Sequence, residues 1–304
     1  MYKGVLHKKI ELNKESIETM SELSKEMKNS DKFDVVIGNP PYQSSSGNKG
    51  AGNILWDKFV KLSIDLTKDK GYVCLIHPSL WRKPRHKLWE SFSNNNLLYL
   101  NINNESEGMR VFGANTRFDW YVLQKSDYSN ITVINTENNK TKKINIQEWG
   151  WLPNFDFDLI ESLLAKDNEE KCEVINSQSS YEPRKNWMNK TKTKKFKYPC
   201  VYSVNRKNQV TLKWSSTNKN GHFGIPKVIF GSGATGFYVD RNGEYGMTQW
   251  ASGIVDRKSV LPSIAKSLNS EEFKQVIRAT AMSKAEININ VLRYFRKDFW
   301  KEFI

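Results

Sequence analysis

Phe33-Asp34-Val35-Val36-Ile37-Gly38-Asn39-Pro40-Pro41-Tyr42 decides the reading of this chain. A short apolar run closed by Gly and Pro predicts a buried strand of a parallel sheet, covered on both faces. The strand ends in a stiff turn that carries an amide and an aromatic ring. Polar groups just past the carboxyl end of such a strand sit where open α/β sheets bind ligands.

Working outward, Gln43–Gly52 is rich in Ser, Gly and Asn and reads as a loop that closes over a ligand. Ile54–Leu66 has apolar residues at helical spacing, stopped by Lys68–Gly71, and Tyr72–Pro78 is a second short strand. Ser79 is an N-cap candidate for a helix running through Trp89 and Phe92. Leu97–Ile102 is a further strand. Asn135–Lys143 is polar and reads as a loop or boundary. His77 has no partner at metal-ligand spacing, so its role reads as structural and no metal site is expected.

Upstream, Val5–Leu12 is a short start, and Ser16–Lys28 a polar helix before a turn at Asn29-Ser30-Asp31. Downstream, Asp156–Ala165 is a short helix. Val201–Trp214, Val228–Phe230 and Phe237–Met247 contain strands, the last folding as a hairpin around Asn242-Gly243. Glu271–Ala281 and Asn290–Trp300 are expected as terminal helices.

The chain has 304 residues and a net charge of +14. That balance favours a polyanionic partner such as a nucleic acid and disfavours a protein substrate. No run is long and apolar enough to span a membrane. Cys74, Cys172 and Cys200 lack metal or disulfide spacing, which fits a reducing cytoplasm. Arg184–Lys197 holds seven basic residues, among them Arg184, Lys185, Lys192, Lys194, Lys195 and Lys197, with Trp187 and Phe196 interleaved. This pattern suits phosphate contact and base stacking, or else a solvated loop.

Asn39-Pro40-Pro41-Tyr42 after its apolar strand closely resembles the fourth motif of the adenine-N6 DNA methyltransferases of restriction–modification systems. The helix and strand over Ile54–Pro78 resemble their fifth and sixth motifs, and Met109–Lys125 their eighth. The resemblance is specific from Phe33 to Lys125 and loose beyond. It implies an α/β fold: an incomplete Rossmann-like methyltransferase sheet over residues 1–130, then a mixed α+β target-recognition domain over 150–304. It also implies double-stranded DNA as substrate, S-adenosylmethionine as cofactor and a bacterial or phage-infected cytoplasm as location.

The same resemblance assigns the catalytic roles. An exocyclic amine is a poor nucleophile because its lone pair is delocalised into the ring. Two rigid acceptors that bond both its N–H groups draw the nitrogen towards a tetrahedral shape. Asn39 (side chain) and Pro40 (backbone carbonyl) supply them, Pro40 and Pro41 fix the turn, and Tyr42 stacks on the base. Phe112 packs against the other face of the flipped base. Phe59, or failing it Trp56, is the aromatic near the cofactor; otherwise both are core residues.

The cofactor's Gly-rich turn is expected well upstream of Asn39, and Met1–Ile37 holds only Gly4. The chain therefore reads as a split or truncated enzyme whose cofactor-binding half comes from a separate chain. Gly231-Ser232-Gly233-Ala234-Thr235-Gly236 superficially resembles that turn in permuted members, but hairpin residues follow it rather than a helix. A DNA-binding or specificity module without activity, and an RNA methyltransferase, stand as alternatives.

Overall fold

The computed structural model describes residues 14–43, 54–129, 131–233, 235–282 and 287–304. The expected start over Val5–Leu12 and most of the loop Gln43–Gly52 lie outside the described residues. The chain divides into two compact units, Met1–Phe155 and Asp156–Ile304.

The first unit contains α1 (Lys14–Glu26), β1 (Phe33–Gly38), α2 (Trp56–Leu66), β2 (Thr67–Pro78), α3 (Trp89–Ser93), β3 (Asn96–Asn103), α4 (Glu105–Phe112), β4 (Phe118–Gln124), β5 (Thr132–Asn135) and β6 (Thr141–Ile144). Its six strands form one mixed sheet in the order β1-β2-β4-β3-β5-β6. β1 runs parallel to β2, and β4 runs antiparallel to β2 and β3. Asn135–Lys143 is therefore not a boundary: it holds the turn of the β5–β6 hairpin, which extends the sheet.

One side of this sheet is a dense core. The register sets Val73 beside Leu123, Leu123 beside Leu97 and Leu100 beside Tyr121, all buried. α2 packs on α1 around Ile17, Leu55 and Leu62. The other side is open near β1. Phe33, Val35 and Ile37 are 55%, 53% and 80% exposed. The expectation of a covered β1 is thus corrected. Among the described residues β1 lies at the sheet edge, so its alternate apolar side chains have nothing on their outer side to pack against. Val35 pairs with Tyr72, itself exposed, which widens the bare patch onto β2.

The helix expected from Ser79 is also corrected. Ser79–Arg82 is a single 3-10 turn, Ser79 caps nothing, and α3 is confined to Trp89–Ser93. Pro84 forces Lys83 out of helical geometry, and Arg85 takes a left-handed φ of 60°. The turn places Arg82 fully buried. Its Nε donates to Asp119 at 2.8 Å, and its terminal nitrogens donate to the carbonyls of Leu152 and Pro153 and to Asn154. Trp81 donates to the same carboxylate. Burial raises the Asp119 carboxyl, and Arg82 opposes that rise.

The second unit contains α5 (Phe157–Leu163), β7 (Glu173–Ile175), β8 (Met188–Asn189), β9 (Tyr198–Val204), β10 (Val210–Ser215), β11 (Lys227–Gly231), β12 (Phe237–Asp240), β13 (Gly246–Met247), β14 (Ala251–Val255), α6 (Leu261–Leu268), α7 (Glu271–Thr280) and α8 (Ile289–Leu292). Two four-stranded sheets run β13-β9-β10-β8 and β12-β11-β14-β7. The expected hairpin around Asn242-Gly243 is corrected: β12 pairs with β11, and β13 joins β9 in the other sheet. Gly243, at φ 71°, instead lets two backbones touch, since a Cβ there would lie 2.3 Å from the Ile225 nitrogen. Asn290–Trp300 is not one helix either. α8 stops at Leu292, and Phe295 and Arg296 form bridges to Leu164 and Lys171. Among the described residues no helix is long and apolar enough to cross a membrane.

His77 tests the core of the first unit. It is fully buried, with its ring 4.7 Å from Trp56 in a stack and 5.3 Å from Tyr121 edge-on. Nδ1 lies 3.0 Å from the Pro78 carbonyl, and Nε2 has no partner among the described residues. Burial lowers its pKa to about 4 from 6.5. The unfolded chain therefore takes up this proton first as pH falls, so stability is lost between pH 6.5 and about 4 and then levels. The loss from His77 is about 3 kcal/mol at 1.36 kcal/mol per unit. His77→Phe should keep the stack and flatten that part of the profile, read by urea unfolding across the pH range.

Candidate active site

β1 and β2 finish at one end of the sheet, and antiparallel β4 starts there, with Phe118 opposite Pro78. This brings three sequence segments together. The turn Asn39–Tyr42 leaves β1 with Asn39 exposed, Pro40 buried and Pro41 exposed. A buried proline beside an exposed amide is a stiff mount, because the ring fixes φ and packing fixes the ring. The Leu55 N–H donates to the Tyr42 carbonyl at 3.2 Å, and Gln43 bridges Ile54. The turn is thus tied to the start of α2.

Tyr42 meets Phe112, their centroids 6.5 Å apart and their planes at 76°. Phe112 in turn stands edge-on to Phe118 at 4.9 Å. The Tyr42 hydroxyl is buried without a partner among the described residues, and burial raises its pKa. Phe112 ends α4. Asn104 caps that helix by accepting from the Glu107 N–H, and Gly113 closes it at φ 66°. Such an arrangement offers an exposed amide acceptor beside two rings of crossed orientation, the features needed to grip a planar base with an amino group.

Phe59 does not join this group. It is half-buried and packs with Met20 and Leu66 against the Ile17–Leu55–Leu62 cluster. Trp56 is buried between His77 and His86, stacked on both. Among the described residues both side chains make packing contacts. No Gly-x-Gly turn opening a helix occurs among the described residues.

In the second unit, Arg184, Lys192, Lys194, Lys195 and Lys197 are exposed and Lys185 is half-buried. Four of these ride over rings: Lys185 over Trp187, Lys192 over Trp214, Lys195 over Phe196 and Lys197 over Tyr198, at 5.1–5.8 Å. Arg184 pairs with Glu182. Sequence reasoning missed Lys213 over Tyr202 on the same sheet, since neither lies in the basic run. It also missed Gly108. A Cβ on Gly108 would stand 2.0 Å from the Thr116 carbonyl, so α4 can approach the segment leading to β4 only because residue 108 has no side chain. Gly108→Ala should cost about 1–3 kcal/mol of stability by overpacking and displace Phe112 from Tyr42. Urea unfolding and the NMR shifts of the two rings read the two effects.

Residues 3–112 match the family model described as Eco57I restriction-modification methylase. Among curated proteins, the chain is 31% identical over 124 residues to an uncharacterized adenine-specific methylase of Mycoplasma pneumoniae. The alignment covers 37% of this chain and 28% of that protein, so the chain spans little more than a quarter of that relative's length. Among solved structures, a modification subunit of a putative type I restriction enzyme from Vibrio vulnificus YJ016 aligns with a TM-score of 0.29 at 18% identity, over 36% of this chain and 26% of that one. The type IIL restriction-modification enzyme MmeI, solved in complex with DNA, aligns with a TM-score of 0.47 at 11% identity, over 86% of this chain and 46% of that one. Over residues 3–112, then, this chain is similar to the Eco57I restriction-modification methylases, and the matched segment runs from α1 through the Pro-Pro turn to Phe112.

Proposed function

We propose that this chain is the catalytic-turn and DNA-recognition part of a site-specific adenine-N6 DNA methyltransferase. The observation that carries the reading is the meeting of Tyr42 with Phe112 beside an exposed Asn39, at the end of the sheet where β1 and β2 finish. In this reading Asn39 and the Pro40 carbonyl accept from the two amino protons of a flipped adenine. Tyr42 and Phe112 hold its ring. Flipping costs a few kcal/mol of unstacking. Two aromatic contacts at about 1–3 kcal/mol each offset it. Pro40 and Pro41 keep the acceptors aimed, so rate enhancement comes from positioning and electrostatics rather than from a side-chain base.

S-adenosylmethionine is the proposed methyl donor, supplied in a pocket that a separate polypeptide completes. The bare side chains of Phe33, Val35 and Ile37 and the open edge of β1 support such a partner, because a β1-like strand is stable only when covered. The lysine-over-ring pairs at Lys185, Lys192, Lys195 and Lys197, with Arg184 and Lys194 nearby, are proposed to contact duplex DNA.

The purified chain should bind duplex DNA with an affinity that falls steeply with salt, and should methylate it only with its partner present. In that complex, Asn39→Ala should abolish methylation, read by transfer of labelled methyl groups, and leave duplex affinity within a few-fold. Equal methylation by wild type and Asn39→Ala contradicts the catalytic role. Duplex binding with no methylation under any pairing favours an inactive specificity module.

A further inference from the structure

The glycine-rich stretch Gly231–Gly236 has no role in the account so far. It follows β11 and leads into the antiparallel strand β12, so it opens no helix and is not a cofactor turn. Instead it holds another loop in place. A Cβ on Gly236 would stand 1.9 Å from the Asn205 carbonyl. The Thr235 hydroxyl donates to the Val204 carbonyl at 2.8 Å, and the Phe237 N–H donates to the Asn208 side chain at 2.8 Å. The β9–β10 turn is thereby stapled to the start of β12, and Arg206 is carried on that turn.

This staple shapes one wall of a groove of about 470 Å³. Arg206 lines it together with Lys274 and Arg278 of α7, with Phe237 and Ile277 also in its lining and no carboxylate among the lining residues. All three cations are exposed, while Phe237 and Ile277 are buried. Lys274 also pairs with Glu271, an exposed ion pair that costs little to exchange for a phosphate. Arg206 has no side-chain hydrogen bond or ion pair among the described residues. Three positive charges from two separate segments line one groove, which raises the local potential for an anion. Arginine forks suit phosphate oxygens in particular.

We propose that this groove is a second nucleic-acid contact, in which Arg206, Lys274 and Arg278 clamp the phosphodiester backbone of the duplex. The Gly231–Gly236 stretch serves as the positioning element. The inference rests only on the DNA-binding part of the proposed function and not on methyl transfer, so it stands or falls separately from the Asn39 test.

The test uses the full chain and a duplex of mixed sequence, with affinity measured by fluorescence anisotropy over a salt series. Arg206→Gln, Lys274→Gln and Arg278→Gln combined should lower affinity at least tenfold at low salt. The slope of log affinity against log salt should become shallower by two to three, about one per lost phosphate contact. Gly236→Ala removes no charge but should misplace Arg206, giving a loss of affinity with the thermal midpoint monitored alongside. The triple variant with wild-type duplex affinity and an unchanged slope overturns the proposal. So does saturation of the groove by dAMP or inorganic phosphate, read by NMR shifts at Gly233 and Thr235, while duplex binding ignores the three cations. That result would assign the groove to a free phosphorylated ligand instead.

Discussion

The site depends on strand direction. β1 parallel to β2, and β4 antiparallel to β2, force the end of one and the start of the other to the same end of the sheet. Tyr42 and Phe112 are seventy positions apart in the chain and meet only because of that register. A slip of one residue in β1 would turn its side chains to the opposite face and move the Asn39 turn with it. The proline pair then converts position into rigidity: Pro40 is buried and cannot rotate, so Asn39 is held outward.

The same register explains the bare patch. Alternation along β1 sends the half-buried Val36 to one side and the exposed Val35 and Ile37 to the other. A central parallel strand is covered on both sides, which is why its sequence is apolar throughout. The sequence of β1 is that of a central strand, while its place among the described residues is that of an edge. The mismatch between composition and burial is what supports a completing partner. The exposed row is also a liability for self-association.

The strand and turn that carry the candidate site were legible in the sequence because they are local. The apolar run, Gly38 and the two prolines lie within ten positions, and a strand with a turn needs no distant contact to be recognised. The order of elements through β3 was legible for the same reason, whereas α4 was not expected. What failed was set by distant contacts. β1 looked buried because composition reports what a strand prefers, not whether a neighbour is there. Ser79 looked like a helix cap because the pattern ignores Pro84 and Arg85, which break the helix, and Asp119, which captures Arg82. Asn242-Gly243 looked like a hairpin turn, but the buried Asp240 carboxylate accepts from the Glu244 and Tyr245 N–H groups and pairs with Lys227, which turns the chain into another sheet. Phe59 and Trp56 have the helical spacing of either a core or a cofactor wall, and spacing alone does not separate the two.

The central claim is that the turn after β1 receives an adenine. It is tested most directly by NMR of the full chain labelled to show the Asn39 side-chain amide and the Tyr42 ring, titrated with single-stranded oligonucleotides. An oligonucleotide with one adenine in a thymine background should shift both signals, while the all-thymine strand binds through the basic surface and leaves them in place. Identical spectra with the two strands, at saturation of both, would contradict the account.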